Sequence, residues 1–481
     1  MIVASGFGGE FAASDFGDQR LNKRIVRVAE RFGKHCNCSI PAASGGRAEM
    51  EAAYRFMNNP KVTPDKILAP HRQATIDRMR QGKIALLVQD TTEMDFTRPS
   101  QQIEGAGPLS HDSRRGSYLH PLLALTEEGL ALGIVWHKHW VRKSIQTGRT
   151  PAEKREKIRK TPFEEKESFR WVETMRAAVQ VAQECPETQC VIISDSESDI
   201  YEVLAEPRQL EAGRSLDIIV RADGDRNIEI DGGIDKMLAR VRNTPCLYQA
   251  TVMVSKRTPK TKVKKTSPRK CAREARTATV EVRAGTVAIR SPRNTTRRPS
   301  LNYHVVLVEE TSPPAGQAPI QWMLITSLPI ETVEDVERIV DYYCIRWQIE
   351  IYFRTLKSGC RVQERHFETM NRIENCVAIY MVIAWKVLYL FRIGRECPDL
   401  PCDLIFEDSE WQAVYTIVHS GPLPEEPPSI NEMIRMVASL GGYVKRRSTQ
   451  PGTQTLWLGL QRVHDFATAW NAFGPKSRTE L

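Results

Sequence analysis

The sequence predicts an α/β protein in which a mixed sheet forms the central region, a β-rich insertion interrupts it, and helical regions flank it. The order of elements between residues 84 and 205 is the first reason: an apolar strand, a hairpin, a helix, a second apolar strand and another helix follow one another. The second is composition, because 41% of the 481 residues are hydrophobic, enough for a substantial core. We expect a helical domain at 1–70, an α/β domain at 71–370 with its insertion at about 215–328, and a helical domain at 371–481.

The amino-terminal region predicts two helices with a basic face. The first begins after Asp18 and carries apolar residues at helical spacing on one side. Its other side is basic, with Arg20, Lys23, Arg24, Arg27 and Arg31. The second helix, at about 47–58, ends before Pro60. This arrangement favours a DNA-binding module, although a solvated helix face explains the same pattern equally well.

Two apolar strands of the central region each end in an aspartate. Residues 84–89 lead into Asp90-Thr91-Thr92, and residues 190–194 lead into Asp195. Between them we expect a hairpin at 119–136 and a helix at 163–185. Carboxylates at strand ends lie at the rim of a sheet, so Asp90 and Asp195 could share a divalent metal ion. Each could equally be a turn former or a helix cap.

The positive charge of the chain is concentrated in the β-rich insertion. Residues 256–276 hold ten Lys and Arg against Glu274 alone, a net charge of +9 that equals the net charge of the whole chain. We expect this run, which includes Lys262, Lys264 and Lys265, to bind phosphates without reading sequence. A solvated loop is the alternative interpretation, and the two are compatible until DNA is bound.

The eleven cysteines show no pairing pattern and no zinc-ligand spacing, so we expect free thiols in a reducing compartment. The first residues lack a charged segment followed by an apolar one, and we find no uncharged apolar stretch of membrane-spanning length. These observations predict a cytoplasmic protein that does not bind a membrane. A strongly apolar helix at about 373–391 needs cover, either from the tail or from another subunit.

A long helix predicted at about 333–357 carries two distinct faces. Projected at about 100° per residue, four polar residues share one narrow stripe, and the apolar residues project on another side. The polar residues are Tyr343, Arg346, Glu350 and Lys357, and the apolar ones are Ile345, Ile349, Phe353 and Leu356. A salt-bridged, solvated face explains the charged residues, but it explains the tyrosine less well.

The four polar residues and both aspartate motifs resemble the transposases of the insertion-sequence-four family, in the branch of the transposon Tn-five enzyme. The family signature of Tyr, Arg, Glu and Lys is present in full at 343, 346, 350 and 357. The family's first aspartate stands in Asp-Thr-Thr, as Asp90 does, and its second opens Asp-x-Glu-x-Asp-Ile, as Asp195 does. Stretches at 17–20, 53–56, 165–168 and 441–442 are also similar, so the resemblance covers nearly the whole chain.

The resemblance implies a ribonuclease-H-like fold and a catalytic triad of Asp90, Asp195 and Glu350 that holds two Mg²⁺ ions, for which Mn²⁺ can substitute. It also implies that Tyr343, Arg346 and Lys357 hold DNA phosphates. Trp322 matches a family tryptophan that stacks on a flipped base, and a tryptophan in the core of a strand is the alternative. Arg221 resembles a phosphate contact, but a nearby family lysine is Asp223 here, so the contacts of that loop are open.

The partners implied are the double-stranded ends of a mobile element, its target DNA and a second copy of the chain in a DNA-bridged dimer. Arg20, Lys23, Arg24 and Arg27 are the residues expected to recognise the ends. The carboxy-terminal helices are expected to pair the two copies, through Met433, Ile434, Met436 and Val437 if these are not simply packed within the tail. Two other functions stay open: a DNA-binding regulator that no longer transposes, and a ribonuclease-H-like nuclease without strand transfer.

Overall fold

The structure is a computed structural model, and it describes residues 6–100, 102–111, 113–143, 150, 153, 156, 159–256, 273–292, 298–444 and 451–475. Lys262, Lys264 and Lys265 therefore lie outside the described residues. The strands in chain order are β1 (Ile84–Gln89), β2 (Thr92–Asp95), β3 (Gly107–Pro108), β4 (Arg115–Leu125), β5 (Ala131–Trp140), β6 (Gln189–Ser194), β7 (Asp217–Arg221), β8 (Asn227–Ile230), β9 (Gly233–Lys236), β10 (Tyr248–Val254), β11 (Arg276–Ile289), β12 (Leu301–Glu310) and β13 (Gln321–Thr326).

The α-helices in chain order are α1 (Gln19–Lys34), α2 (Ile40–Ser44), α3 (Arg47–Met57), α4 (Pro64–Met79), α5 (Arg170–Glu184), α6 (Tyr201–Ala205), α7 (Met237–Arg242), α8 (Val333–Ile345), α9 (Gln348–Arg354), α10 (Met370–Glu396), α11 (Asp408–His419), α12 (Ile430–Leu440) and α13 (Thr453–Phe473). These elements form two compact units. The first unit consists of Met1–Pro162, Glu184–Thr188 and Trp347–Leu481, and the second of Phe163–Gln183 and Gln189–Arg346. The predicted domain bounds near 70 and 370 stay predictions.

The sheet of the first unit is antiparallel. Strand β4 pairs with β1 and β2, one after the other, along one edge and with β3 and β5 along the opposite edge. Every residue of β4 after Arg115 is buried, because β4 has neighbours on both edges and helices cover the sheet. Helix α4 packs on β5, and the predicted hairpin is confirmed as β4 and β5.

Helix α10 is the centre of the first unit. It is long and apolar enough to span a membrane by length and composition, but 94% of its most apolar window is buried inside the protein. It packs against α1, α3, α4, β5, α12 and α13. The indole of Trp385 donates to the carbonyl of Ala131 at 2.8 Å, which satisfies the one polar group of a fully buried ring. The cover that the sequence demanded for this helix comes from the chain itself.

The second unit contains a mixed sheet, as the sequence predicts. Strands β6 and β7 are parallel, and β7 then pairs antiparallel with β13. The β-rich insertion continues from β13 through β12 and β11, with β8, β9 and β10 at its far side. The predicted α/β class, with helical regions at both ends of the chain, is confirmed. Strands β8 and β9 and helix α7 were not predicted.

Candidate functional site

Asp195 lies directly after β6 in the second unit. Its carboxylate accepts a hydrogen bond from the backbone N–H of Glu197 at 2.8 Å and so caps the short 3₁₀ turn Ser196–Ser198. The cap interpretation of this aspartate is therefore realised in the structure. The side chain is nevertheless half-buried rather than enclosed, and it makes no ion pair with any described residue. The cap uses one oxygen, which leaves carboxylate lone pairs for a ligand.

The two acids that follow Asp195 in the same motif are bound to arginines. Glu197 pairs with Arg170 at 2.9 Å. Asp199 pairs with Arg226 at 2.6 Å and also accepts the backbone N–H of Asp223 at 2.8 Å. Asp223, which stands where the family has a lysine, therefore lies in a loop whose backbone is held by the Asp199 carboxylate. Of these three neighbouring carboxylates, Asp195 is the one without a basic partner among the described residues.

Tyr343 stands near the end of α8, with only 1% of its surface exposed. Its ring meets that of Trp322 edge to face, with 5.5 Å between the ring centroids, and the guanidinium of Arg346 lies 5.8 Å from the Tyr343 ring. Burial raises the pKa of the Tyr343 hydroxyl, the charges of Arg221 and Arg346 lower it, and the charge of Asp195 raises it. The second unit thus brings Asp195, Arg221, Tyr343 and Arg346 into one electrostatic neighbourhood.

The other predicted DNA contacts of the second unit lie around this tyrosine. Arg221, the last residue of β7, donates to the hydroxyl of Ser196 at 3.3 Å, next to Asp195. Arg346 is only 4% exposed. Trp322 pairs with Val308 across β13 and β12 and is half-buried, so its ring is neither enclosed in the core nor fully solvated.

Asp90 follows β1 in the first unit and is 9% exposed. Its carboxylate accepts the backbone N–H of Thr91 at 2.7 Å. The Thr91 hydroxyl is hydrogen-bonded to His120 at 2.7 Å, and the same imidazole reaches Gln89 at 3.1 Å. These contacts fix the strand end on both sides of Asp90.

Glu350 is exposed on α9, where no ion pair involves it among the described residues. Lys357, seven residues further on, is half-buried. Burial lowers the pKa of the Lys357 ammonium, while the charges of Glu93, Glu350 and Asp95 raise it. The sequence did not predict the ion pairs formed by two of these acids. Arg114 binds Glu93 at 2.8 Å and Asp95 at 2.9 Å.

The continuous helix predicted at 333–357 is corrected by the structure. Helix α8 ends at Ile345, a turn at Arg346 and Trp347 follows, and α9 begins at Gln348. Residues Thr355–Gly359 then form a π turn, in which the Cys360 N–H bonds to the carbonyl of Thr355 at 2.8 Å. The regular projection of about 100° per residue therefore does not hold as far as Lys357. The predicted apolar face is confirmed at Ile349, Phe353 and Leu356, whereas Ile345 is half-buried.

The basic face of α1 is exposed as predicted, except at Arg24 and Arg31, which are half-buried. Arg20, Lys23 and Arg27 are exposed, and Arg20 lies 3.5 Å from Asp18. Arg24 instead forms an ion pair with Glu49 of α3 at 2.6 Å, and Glu49 also binds Arg31 at 3.0 Å. One carboxylate thus joins α1 to α3 and engages Arg24.

The apolar face of α12 is covered by other helices of the same chain. Met433, Ile434, Met436 and Val437 are all buried against the chain's own helices. Close packing explains this, because a Cβ on Gly459 of α13 would lie 1.8 Å from the carbonyl of Val437. The structure supports the interpretation of these residues as packing within the tail, and a role for them in pairing two copies stays a prediction.

The described residues contain no group of three or more His, Cys, Asp or Glu side chains gathered as a metal site. The donor types nevertheless suit a hard divalent cation, since Asp90, Asp195 and Glu350 offer oxygen ligands. The state of Asp195 and Glu350 agrees with that use, because neither forms an ion pair within the described part of the chain.

Three family models match the sequence. A transposase DNA-binding model matches residues 7–62, a transposase DDE domain model matches residues 150–385, and a transposase Tn5 dimerisation domain model matches residues 382–476. Asp195 and Glu350 lie inside the DDE match, and Asp90 lies before it.

Among solved structures, the chain is similar to a piggyBac transposase in a synaptic complex with hairpin DNA, seen by cryo-electron microscopy. The sequence identity is 10% and the TM-score is 0.32, over 86% of this chain. The chain spans about 60% of the length of that piggyBac chain.

The three family models carry the identification, since they describe successive regions of one kind of protein, and they agree with the insertion-sequence-four family predicted from the sequence. They also support DNA binding and dimerisation. A DDE domain places the chain among enzymes that use divalent metal ions. The chain therefore belongs to the DDE transposases related to the Tn5 transposase.

Proposed function

We propose that this enzyme cuts double-stranded DNA at the ends of a mobile element and joins those ends to target DNA, with Asp90, Asp195 and Glu350 as the ligands of two Mg²⁺ or Mn²⁺ ions. The observation that carries the proposal is the state of Asp195. Within a run of three acids, its neighbours Glu197 and Asp199 are held by arginines, whereas Asp195 keeps its carboxylate open beside Arg221 and Tyr343. A carboxylate that only stabilised the loop would gain from the same pairing.

When bound, the ions supply an activated oxygen nucleophile and stabilise the leaving oxygen of a phosphodiester. The chain's own part is to hold the DNA. Arg221 and Arg346 carry planar guanidinium groups that suit the oxygens of one phosphate, and Lys357 adds a point charge. The charge of Glu350 acts on Lys357, which supports a common role for the two residues.

Trp322 suits a base displaced from the duplex. Its indole is half-buried and is braced from one side by Tyr343, at 5.5 Å between ring centroids. A braced, partly accessible ring can stack on a base of any sequence. We assign to Trp322 the capture of the base next to a DNA hairpin, an intermediate of cut-and-paste transposition.

Recognition of the element ends is assigned to α1, and pairing of two copies to the carboxy-terminal helices. Arg20, Lys23 and Arg27 are exposed and can meet phosphates or base edges. The basic run with Lys262, Lys264 and Lys265 is assigned to phosphates. Two copies bridged by two DNA ends form the active assembly in this proposal.

The direct experiment uses the DNA that flanks the gene. The full chain is incubated with this DNA and Mg²⁺, and the products are separated on a denaturing gel. We expect a nick at the element end, followed by a hairpin band. With a chelator in place of Mg²⁺ both products should disappear, and Mn²⁺ should restore them. Products that form equally well in chelator would contradict the two-metal proposal.

Substitution of each ligand tests the residues. Asp90→Ala, Asp195→Ala and Glu350→Ala should each abolish nicking and leave the binding of end DNA largely intact in a gel-shift assay, because the ligands act after binding. A variant that still cuts at the normal rate removes that residue from the triad. Asp90 is the most informative of the three, since it lies outside the matched DDE region.

A further inference from the structure

The segment that carries Lys357 ends in an unusual turn. Residues Thr355–Gly359 are wound as a π turn, closed by the bond from the Cys360 N–H to the carbonyl of Thr355 at 2.8 Å. A π turn holds one more residue than an α turn and is rare, so it persists where the surroundings impose it. Lys357 is the middle residue of this turn. The direction of its side chain therefore depends on the contacts that keep the turn in π geometry rather than α geometry.

Arg365 provides a buried clamp directly after this turn. It is 4% exposed, and its guanidinium lies 4.6 Å from the centroid of the Tyr380 ring. One terminal nitrogen, Nη2, donates both to the carbonyl of Cys360 and to the carbonyl of Cys36, the latter at 2.6 Å. The other, Nη1, donates to the carbonyl of Cys38. One side chain therefore ties the end of the π turn to the loop that follows α1.

The surroundings leave the turn little room to change. A Cβ on Gly359 would lie 2.9 Å from the ring of Trp457. Arg361 adopts a left-handed conformation, with φ of 49°, which is costly for a residue other than glycine. Cys36 and Cys360 are both buried. The clamp thus belongs to a tightly packed joint within the first unit.

We propose that Arg365 is a positioning residue for Lys357, which it acts on by holding Cys360 against the Cys36–Cys38 loop and so keeping the π turn wide. This inference rests on the proposed function, in which Lys357 holds a phosphate at the cleavage site. Without the clamp the turn relaxes towards an α turn, which rotates the chain by about one residue, or roughly 100°. The ammonium of Lys357 then no longer points where the DNA phosphate lies.

The joint also connects recognition with chemistry. Cys36 and Cys38 lie within the matched DNA-binding region at 7–62, and Lys357 lies within the matched DDE region. Arg365 therefore makes the direction of Lys357 depend on the loop next to the proposed recognition helix. A lysine in place of Arg365 keeps the charge but cannot satisfy three carbonyls with the same fork geometry.

The test is a double-mutant cycle on DNA-end nicking, with kcat and KM for the DNA end measured separately. We expect Arg365→Lys to lower kcat by about 10- to 100-fold, as misplacement by about 1 Å does, with little change in KM. In a Lys357→Ala background the same change should have almost no further effect. The matched control is Arg395→Lys. Arg395 likewise stacks on an aromatic ring, at 4.3 Å from Phe391, and donates to a carbonyl, that of Pro451. We expect Arg395→Lys to leave kcat unchanged.

Independent losses that multiply in the double variant would overturn the positioning role and leave the proposed function standing. Full activity of Lys357→Ala alone would overturn the role of Lys357 and this inference with it. A second readout does not need cleavage: hydrogen exchange of the 355–365 amides should rise in Arg365→Lys and stay unchanged in Arg395→Lys. Unaltered exchange at those amides would overturn the inference even if the wild-type chain cut no DNA.

Discussion

Asp195 and the buried acid Glu10 stand in opposite states. Asp195 is half-buried, caps a short turn and makes no ion pair with the described residues. Glu10, in the first unit, is 5% exposed and is bound by Arg78 at 2.8 Å and by His71 at 2.6 Å. The difference teaches that pairing and burial, more than position in a motif, decide whether a carboxylate is available to a ligand.

The state of His71 makes the contrast sharper. Its Nε2 accepts the backbone N–H of Ile134 at 3.0 Å, so its proton is on Nδ1 and is donated to Glu10. Burial lowers the pKa of His71. Burial alone would raise the pKa of Glu10, but the hydrogen bonds from His71 and Arg78 and the charge of Arg78 lower it to about 2. Glu10 is therefore an ionised, fully engaged group that holds the amino-terminal segment to α4.

The largest expected effect comes from removing the charge of the available acid. Asp195→Asn keeps the shape and the cap but loses the charge that a metal ion needs. We expect nicking of end DNA to fall by at least about 10³-fold, because metal ions supply several kcal/mol of stabilisation and each ~1.4 kcal/mol is a factor of ten. The temperature of unfolding should hardly change, since no ion pair of the described residues is broken.

Glu197→Gln is the matched control in the same motif. Glu197 is exposed and is bound to Arg170, which is 9% exposed, so its loss removes a partly buried ion pair but leaves the charge of Asp195 in place. Nicking should stay close to the wild-type rate. Equal losses of nicking in Asp195→Asn and Glu197→Gln would mean that the motif acts as a whole. Ion pairing would then not distinguish Asp195 from Glu197.

Replacement of Glu10, the acid bound by His71 and Arg78, should lower stability rather than the rate of nicking. The lowered pKa of Glu10 gives stability that is fully present above a pH of about 4.5 and is lost as the pH falls from there towards 2. A shift of that size corresponds to about 3 kcal/mol. We therefore expect Glu10→Gln to lower the melting temperature at pH 7 by roughly 5–10 °C. The gap between wild type and variant should narrow as the pH is lowered from 4.5, as followed by circular dichroism.

A difference between wild type and Glu10→Gln that is constant from pH 7 to 3 would show that the charge of Glu10 does not contribute. Any loss of nicking in this variant should disappear when both proteins are assayed well below their melting temperatures. A loss that remains there would place Glu10 closer to the chemistry than its buried network implies.

Much of the fold could be predicted because local patterns determine it. Apolar runs predict the strands before Asp90 and Asp195, and spacing predicts the apolar faces of α1 and α9. Strands β8 and β9 could not be predicted, because most of their residues are exposed and carry no clear alternation. The break at Arg346 and Trp347 was missed for a related reason, since hydrophobic periodicity continues across a single turn.

The residue types of the site could also be predicted, but their engagement could not. Arg78 and Glu10 are separated by 68 residues, and Arg365 and Cys36 by 329, so no local pattern connects them. The apolar face of α12 is a further example. Periodicity predicts that this face is buried, but it does not identify the element that buries it.

Two aromatic rings can be compared in the same way, by how accessible they are to a DNA base. Trp322 is half-buried, whereas its neighbour Tyr343 is enclosed. Trp322→Ala should slow hairpin formation by about 5- to 100-fold, since stacking on a base contributes about 1–3 kcal/mol. The first nick should be affected much less, and Trp322→Phe should recover part of the hairpin rate. Both steps are followed on one denaturing gel. Equal slowing of nick and hairpin would indicate that Trp322 serves mainly to pack against Tyr343.

The smallest expected effect separates two arginines on one helix. Arg27 of α1 is exposed, whereas Arg24 is bound to Glu49 at 2.6 Å. Each phosphate contact that is lost lowers the slope of log affinity against log salt by about one. Arg27→Ala should therefore weaken binding of end DNA and reduce that slope, as measured by fluorescence anisotropy across salt concentrations. Arg24→Ala should change the slope less, because its charge is already neutralised by Glu49. A larger change for Arg24→Ala would mean that DNA displaces Glu49, so that engagement in the unbound protein does not predict engagement in the complex.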